Sequence, residues 1–347
     1  MSLHTELKRR VNEYFNSIGK DSTGNAKLYT KAIVLITSYT LVYVHLMFFK
    51  PVWWIGLVEC MILGILTAGI GFNVMHDGSH GSFSRIPWLN KLASYTLEML
   101  GGSSFMWNSK HNIIHHAYTN IDGVDDDIDA GLLLRMTPDQ KYLKLHKYQY
   151  IYFPFLYAML HIVWVFFKDY KKYFSKKVGN VPLKPLKTRD HIFFWVGKVV
   201  HVFFYVVLPI YVWGLGAWAI GFVTYGAFSG IVLSTVFQLA HTVEETSFPH
   251  AIQPENIIED EWALHQLKTT ANFATRNKFI TWWVGGLNFQ VEHHLFPKIS
   301  HIHYPQISKI VRETCQELGA PYIEHRHMRQ ALASHVNHLR KMGARHR

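Results

Sequence analysis

Three short clusters of histidine are the residues of this chain best suited to catalysis. Its 347 residues include 23 histidines against 24 acidic residues, but only two cysteines. The clusters are His76-Asp77-Gly78-Ser79-His80, His111-Asn112-Ile113-Ile114-His115-His116 and Gln290-Val291-Glu292-His293-His294, and a single His241 lies between the last two. Imidazole without thiolate suits iron, copper, nickel or zinc and disfavours magnesium or calcium. The clusters therefore predict a transition-metal centre.

The spacing within the clusters favours two metal ions over one. Residues four apart share one helix face, so His76 with His80, and His111 with His115, can each direct two imidazoles at one point. Adjacent residues such as His115 and His116 point roughly 100° apart on a helix, so neighbours can serve different ions. We therefore predict a dinuclear centre. Its ligands, which are also the catalytic residues, are His76, His80, His111, His115, His116, His241, His293 and His294.

Several other functional signatures are absent or incomplete. The sequence contains no H-E-x-x-H, G-x-S-x-G or Walker motif, which argues against a zinc protease, a serine hydrolase and a P-loop NTPase. The acidic stretch 122–129 lacks the EF-hand order of ligands, glycine and closing glutamate. We expect its aspartates to form a solvated loop that caps helices or orients the metal ligands. They are Asp122, Asp125, Asp126, Asp127 and Asp129.

The chain around the clusters has the composition of a membrane protein. Charged residues make up 17% of it, below the roughly 25% of soluble domains, and residues 199–240 contain no Asp, Glu, Lys or Arg. A helix needs about 20 apolar residues to cross the hydrocarbon core. We predict transmembrane helices at 32–49, 52–75, 192–213 and 217–240. Turns at Lys50-Pro51 and Gly214-Leu215-Gly216 join them into two hairpins.

The distribution of lysine and arginine predicts the orientation of the chain in the membrane. They are concentrated in residues 1–31, in 168–191 and in the tail after His241, whereas the turn at 50–51 has one and the turn at 214–216 has none. Both termini, the segments 76–191 and 241–347 and the histidine clusters are therefore predicted to be cytosolic. The basic residues flank spans and form no separate basic domain, which argues against nucleic-acid binding. Lys198, near the start of the third span, is expected to extend toward the cytosolic surface.

The predicted fold class is an all-α integral membrane protein, with one domain over residues 1–347. Four transmembrane helices in two hairpins carry a cytosolic helical cap that holds the histidine-rich centre. Residues 150–167 are apolar enough for a fifth crossing, but a crossing would put their two basic flanks on opposite sides of the membrane. We therefore predict a helix in the membrane interface there, like one near 88–100.

The clusters resemble those of the membrane fatty acid desaturases, and within them the front-end (linoleoyl-CoA desaturase-like) acyl desaturases. The likeness covers roughly residues 30–320. Gln290 stands where many other membrane desaturases have histidine, which is typical of the front-end type. The strings that carry the resemblance are His76-Asp77-x-x-His80, His111-Asn112-x-x-His115-His116, Tyr118-Thr119-Asn120, Gln266-Leu267-x-Thr269-Thr270-x-Asn272-Phe273 and Gln290-Val291-Glu292-His293-His294-Leu295-Phe296-Pro297.

The resemblance implies two iron ions, dioxygen as co-substrate and Gln290 as a further metal ligand. It implies electrons from a separate ferredoxin or cytochrome, since the residues before the first span are too few for a fused cytochrome domain. Related acyl-CoA desaturases have an Asn where this chain has Phe237, so the resemblance leaves three alternatives for completing the second iron: Gln238, a water or no further ligand. Further residues expected to orient ligands or line a substrate channel are Asp77, Asn112, Trp107, Gln238, Trp262, Gln266, Thr270 and Asn272.

The implied reaction introduces a cis double bond into a long acyl chain carried by CoA, a carrier protein or a glycerolipid, with front-end regioselectivity. A bacterial cell membrane is favoured over the endoplasmic reticulum. One alternative is a di-iron lipid hydroxylase or ketolase with the same ligands. The other is a metal-binding or metal-transporting membrane protein. It is disfavoured because transporters place polar ligands within their spans.

Overall fold

The computed structural model of the chain describes residues 2–250, 258 and 260–344. It is mostly helical, as predicted. The chain divides into two compact units. The first unit comprises Met1–Gly24, Lys110–Phe153 and Val236–Arg347, and the second comprises Asn25–Ser109 and Pro154–Thr235.

Five helices of the described residues are long and apolar enough to cross a membrane, where we predicted four. The additional one is the 32-residue helix Lys144–Ser175, with a mean hydropathy of 1.7. Our prediction of an interfacial helix at 150–167 was based on charge and underestimated the length of this element. The other four correspond to the predicted spans with longer ends: Ala26–Phe49, Trp53–His80, Thr188–Trp213 and Leu215–His241.

Local sequence explains where the hairpins turn. Lys50 adopts φ 45°, a left-handed conformation that ends the first helix just before Pro51. Gly214 adopts φ 79° and separates the fourth and fifth long helices. Both predicted turns are therefore present. π-helical turns interrupt the long helices at His45–Phe49, Gly71–Met75, Trp164–Lys168 and Phe203–Val207.

The remaining elements of the second unit are short. Residues 87–99 form two short helices, consistent with the expected helix near 88–100. The α-helices are Pro87–Ser94, Thr96–Met99 and Ser104–Asn108, and an antiparallel strand pair joins Lys177–Val178 to Val181–Pro182.

Close helix contacts and one buried ion pair consolidate the second unit. A Cβ at Gly64 would lie 2.3 Å from the carbonyl oxygen of Tyr225, so these helices meet backbone to backbone. Lys198 is 3% exposed and its ammonium donates to Asp169 at 2.8 Å and to the carbonyl oxygens of Gly101 and Val165. The prediction that Lys198 reaches the cytosolic surface is therefore wrong. Its three N–H donors have three acceptors inside the protein, which offset the cost of burying the charge.

The first unit is built on a core of amphipathic helices. Leu7, Val11 and Phe15 of the N-terminal helix lie in one apolar cluster with Ile307 and Val311. A parallel strand pair joins Asn272–Phe273 to Glu324–His325. The helices are Leu3–Ile18, Trp262–Thr269, Lys278–Trp283, Gln290–Leu295, Tyr304–Leu318 and Met328–Gly343, with 3₁₀ turns at Gly131–Leu133, Lys144–Tyr148 and His301–His303.

Candidate metal centre

The first histidine cluster is the last turn of the helix Trp53–His80, in the second unit. The rings of His76 and His80 lie 4.7 Å apart between centroids, as the four-residue spacing predicts. Trp107 meets both rings edge-on, at 5.6 Å and 6.1 Å. Asp77 is buried, and its carbonyl oxygen accepts the N–H of Ser82 at 2.9 Å, which closes the turn after the cluster.

The glycine inside this cluster has a packing reason. A Cβ at Gly78 would lie 2.6 Å from the backbone nitrogen of Ser94 and 2.8 Å from the carbonyl oxygen of Asn90. Any side chain there would push the short helix Pro87–Ser94 away. The pattern His-Asp-Gly-x-His therefore combines two metal-capable rings with close packing of the turn that carries them.

The second cluster lies on a π-helical turn, Ser109–His115, rather than on a regular α-helix. The N–H of His116 reaches the carbonyl oxygen of His111, five residues back, at 3.2 Å. This widening brings the ring of His111 within 5.1 Å of His115 and 4.9 Å of His116, between centroids. The rings of His115 and His116 are 5.8 Å apart with their planes at 75°, so the adjacent pair can serve different ions as the spacing predicts, while His111 lies close to both. π turns are frequent at functional sites.

The third cluster is a short and completely buried helix, Gln290–Leu295. The planes of His293 and His294 are perpendicular, so the two rings direct their nitrogens at different points. The ring of His294 lies 4.9 Å from His241 and 4.5 Å from His116, and that of His293 lies 4.8 Å from His116. Six histidines of the first unit therefore converge from three stretches of sequence.

The six rings form overlapping groups that can each hold a metal ion. One group is His115, His241 and His294, and a second is His116, His293 and His294. Within each group one nitrogen from every ring lies within 4.8 Å of the others. A third group joins His111 and His115 to the carboxylate of Asp127. More than one group in the same unit is what a dinuclear centre requires.

Acceptors outside the groups fix the rings of His115 and His241. Nδ1 of His115 lies 2.9 Å from Oδ2 of Asp125. Nδ1 of His241 lies 3.3 Å from the carbonyl oxygen of Thr269, a long contact. A histidine that binds a metal through one nitrogen usually donates the other N–H to such an acceptor. In both rings this leaves Nε2 for the metal.

The third cluster shows the same arrangement. Nδ1 of His293 lies 3.1 Å from the hydroxyl oxygen of Tyr304, and Nδ1 of His294 lies 2.7 Å from Oε1 of Gln266. Gln266 also accepts a hydrogen bond from Thr119 at 3.0 Å. Four rings are therefore held through Nδ1, although their acceptors come from different segments.

The residues present fit a transition metal. His115 is fully buried, and its Nε2 has no hydrogen-bond partner among the described residues. Leaving a buried polar atom unsatisfied costs about 1–3 kcal/mol, which a metal bond removes. Burial also lowers the pKa of His111 to about 4, so its ring is neutral at pH 7, as metal binding requires. Nitrogen donors with a carboxylate nearby suit iron better than magnesium or calcium.

Charged residues of the second cluster's loop stabilise this part of the unit. Lys110 forms an ion pair with Asp127, whose pKa is held well below its usual value by the lysine charge despite burial. Burial alone would lower the pKa of His115, but the nearby charge of Asp125 raises it. The expected role of the aspartate loop as a support for the ligands agrees with the contacts of Asp125 and Asp127.

Gln290 and Gln238 occupy different surroundings. Nε2 of Gln290 lies 2.9 Å from Nε2 of His241, so its amide faces the atom that His241 offers to a metal. The amide oxygen and nitrogen can exchange places by rotation, which would present the oxygen instead. Oε1 of Gln238 accepts a hydrogen bond from Thr242 at 2.8 Å. The ring of Phe237 lies 5.2 Å from His115 and 4.7 Å from His241, as an apolar wall.

Three further residues were expected to orient the ligands, and each has different surroundings. The indole of Trp262 donates to the carbonyl oxygen of His116 at 3.3 Å. Thr270 donates to the carbonyl oxygen of Gln266 at 2.6 Å and closes that helix. Asn112 is half-buried on the π turn.

A buried carboxyl network holds the third cluster. Asn272 donates to Glu292 at 2.8 Å and its Oδ1 accepts the N–H of Val291, while the hydroxyl of Tyr322 donates to Glu292 at 2.9 Å. Burial raises the pKa of Glu292 to about 7. Asn272 therefore acts on the helix that carries His293, rather than on a ring directly.

Sequence reasoning missed Tyr304, Thr269 and Tyr322 as supports of the centre, and it gave no reason to single out Asn120. Each is at most 1% exposed except Tyr322, which is partly buried. Single tyrosines and carbonyl oxygens carry no recognisable spacing. Asn120 belongs to the string Tyr118-Thr119-Asn120, but its position in the sequence did not indicate which atoms its side chain would contact.

Known proteins resemble the chain over most of its length. The fatty acid desaturase family profile matches residues 25–326. The chain is 36% identical to the sn-1 linoleoyl-lipid 6-desaturase of Arthrospira platensis, over 97% of this chain and 91% of that protein. It is 36% identical to the protein of the same name from Synechocystis sp., over 97% and 94%. It is 33% identical to the acyl-lipid (8-3)-desaturase of Physcomitrium patens, over 97% and 71%.

Proposed function

This chain belongs to the fatty acid desaturase family, and from that premise we propose that it is a di-iron, front-end acyl-lipid desaturase. It is a membrane oxidoreductase that acts on acyl chains. The proposed substrate is a long acyl chain esterified to a membrane lipid, because the relatives above are named as linoleoyl-lipid and acyl-lipid desaturases. Acyl-CoA and acyl-carrier protein are the other carriers to be compared.

The observation that carries the proposal is the convergence of six buried histidines. We propose that His115, His241 and His294 hold one iron, with Gln290 beside them. His111, His116 and His293 would contribute to the other. From its spacing and its two adjacent rings, we propose that the pair His76 and His80 also belongs to the ligand set.

An unactivated methylene has no acidic proton, so side chains cannot break its C–H bond by acid–base catalysis. When bound, the iron pair would supply the O2-dependent oxidation that removes one hydrogen from each of two neighbouring carbons, and two external electrons with two protons would balance the reduction of O2 to two waters. The protein's own contribution is to fix the rings and exclude water. The outer acceptors Asp125, Gln266 and Tyr304 fix ring orientation, and Phe237 keeps an apolar surface beside His115 and His241.

We propose that the electrons come from a separate ferredoxin or cytochrome, and that the protein lies in a bacterial cell membrane with both termini and the histidines on the cytosolic side. For the helix Lys144–Ser175 we propose that it does not cross the membrane. Lysines lie near both of its ends, at Lys144 and Lys147 and at Lys171 and Lys172, and the positive-inside rule places both ends on one side.

The decisive experiment is expression in a host that lacks polyunsaturated lipids, fed with defined fatty acids. Mass spectrometry of the lipids would locate any new double bond. Loss of two hydrogens near the carboxyl end of a lipid-linked chain supports the proposal. Gain of oxygen would show a hydroxylase or ketolase with the same ligands instead. Product in the acyl-CoA pool before the lipid pool would contradict the carrier we propose.

A further inference from the structure

Asn120 is a fully buried residue of the first unit with an uncommon backbone conformation. It is 0% exposed and adopts φ 60°, the left-handed region that asparagine tolerates better than most residues other than glycine. It lies four residues after His116, where the chain leaves the second histidine cluster. None of the roles assigned above to the metal ligands accounts for it.

Its side-chain amide faces three backbone carbonyl oxygens. Nδ2 of Asn120 lies 2.8 Å from the oxygen of His241, 3.1 Å from that of Ser247 and 3.3 Å from that of Thr269. Because all three neighbours are acceptors, the amide nitrogen rather than the amide oxygen must point at them. His241 and Thr269 are the last residues of their helices, where carbonyl oxygens lack partners within the helix. One side chain thus caps two helices.

The backbone of Asn120 contacts the residue that orients another histidine of the same metal group. Its N–H donates to Oδ2 of Asp125 at 3.0 Å, and the same oxygen lies 2.9 Å from Nδ1 of His115. The carbonyl oxygen of Thr269, which faces the amide, also faces Nδ1 of His241 at 3.3 Å. Asn120 therefore contacts both the acceptor that orients His115 and the acceptor that orients His241.

We infer that Asn120 is a positioning residue for the metal ion held by His115, His241 and His294. This inference rests on the proposed metal-binding function and adds a residue to it. The amide fixes the end of the long helix that carries His241 relative to the loop that orients His115. Without it the two Nε2 atoms lose their common direction. Loss of such outer contacts typically weakens metal binding by about 10–100-fold.

The test compares Asn120→Asp with wild type as purified full-length protein in detergent. Aspartate keeps the size and the backbone preference but replaces the donor with an oxygen that faces three carbonyl oxygens. Ferrous iron is titrated into the metal-free protein under anaerobic conditions. We expect wild type to bind two irons, and Asn120→Asp to bind one at wild-type affinity and the other about 10–100-fold more weakly.

A matched control at an exposed helix cap separates this effect from that of an Asn-to-Asp change in general. Asn277 caps a helix through Oδ1, which accepts the N–H of Ile280 at 3.0 Å, and aspartate offers the same oxygen. Asn277→Asp should bind both irons as wild type does. Asn120→Gly covers the case in which the new carboxylate prevents folding, because glycine adopts the same backbone without adding charge. It should lose the same iron.

Three outcomes would overturn the inference. Asn120→Asp and Asn120→Gly could bind two irons with wild-type affinity, or lose both irons equally, or fail to fold while Asn277→Asp folds. The second and third would make Asn120 a general structural residue. A wild-type chain that binds no iron would overturn the proposed function as well. Absence of desaturation in a wild type that binds two irons would count against the function alone.

Discussion

Nδ1 of His294 lies 2.7 Å from Oε1 of Gln266, which belongs to the helix Trp262–Thr269. The hydroxyl oxygen of Thr119 lies 3.0 Å from the same oxygen and 2.7 Å from the carbonyl oxygen of His115, so its one proton is shared between these two acceptors. The contact with Gln266 determines which nitrogen of His294 carries the proton. It therefore determines that Nε2 is the nitrogen available to a metal.

Replacing Gln266 with leucine should weaken metal binding without unfolding the protein. Leucine fills a similar space but offers no acceptor to Nδ1 of His294. We expect about 10–100-fold weaker binding of one iron, measured by anaerobic titration. Gln266→Glu keeps the acceptor oxygen and should retain most of the affinity. Equal binding by the leucine and glutamate variants would contradict a role for this oxygen.

Replacing His293 with alanine should abolish desaturation and reduce the iron content of the purified protein. His293 belongs to one of the metal groups, and its ring is oriented by Tyr304. His250→Ala is the matched control, because the side chain of His250 is 78% exposed and contacts Asp139 outside the centre. Lipid analysis and elemental analysis of both variants are the measurements. Product formed by His293→Ala would argue strongly against the assigned centre.

A methyl group at Gly230 should destabilise the second unit. A Cβ there would lie 2.6 Å from the carbonyl oxygens of Tyr157 and Ala158, which are backbone atoms of the long helix Lys144–Ser175. Overpacking of this kind costs about 1–3 kcal/mol. Gly216→Ala, on the same helix as Gly230, has open space around the new methyl group and should be neutral. Thermal unfolding in detergent compares the two, and equal melting temperatures would show that the helices do not meet at Gly230.

Glu98 should make stability depend on pH. Burial raises the pKa of its carboxyl from 4.5 to about 7, and Oε1 accepts hydrogen bonds from the N–H and hydroxyl of Ser104. The folded protein prefers the neutral carboxyl. The contribution of this carboxyl to the free energy of unfolding is therefore complete below pH 4.5 and is lost as the pH rises through about 7.

Glu98→Gln isolates this effect, because glutamine keeps the acceptor oxygen and does not ionise. The variant should melt about 2–4 °C above wild type at pH 8, and the difference should shrink toward pH 5. Melting temperatures across this range are the measurement. A difference that stays constant with pH would mean that Glu98 does not titrate as described.

The class of protein could be predicted from sequence because its evidence is local. The four long apolar runs, the turns at Lys50 and Gly214 and the cluster His111 to His116 are each local patterns that need no knowledge of distant contacts. The family assignment and the mostly helical membrane fold were confirmed. The number of crossings remains a prediction, because the helix Lys144–Ser175 is long and apolar enough to cross but is flanked by lysines, and composition alone supports either placement.

The set of histidine ligands remains a prediction. The local fold of the second cluster, however, could not be predicted from the spacing of its histidines. The spacing of the second cluster predicted that His115 and His116 can serve different ions, but it did not predict the π turn that brings His111 close to both. Hydrogen bonding five residues back is not visible in the residue types. The widened turn is therefore a property of the folded chain.

By itself the sequence determined which residue types could bind a metal and which segments could lie in a membrane, since both follow from side-chain chemistry over a few neighbouring residues. Only the tertiary structure decided that Asp125, Tyr304, Gln266 and the carbonyl oxygen of Thr269 hold the ring nitrogens. Those partners are between ten and twenty-eight residues from the histidines they hold. Contacts over such separations depend on how helices pack, because a hydrogen bond requires atoms about 3 Å apart whatever their distance along the chain.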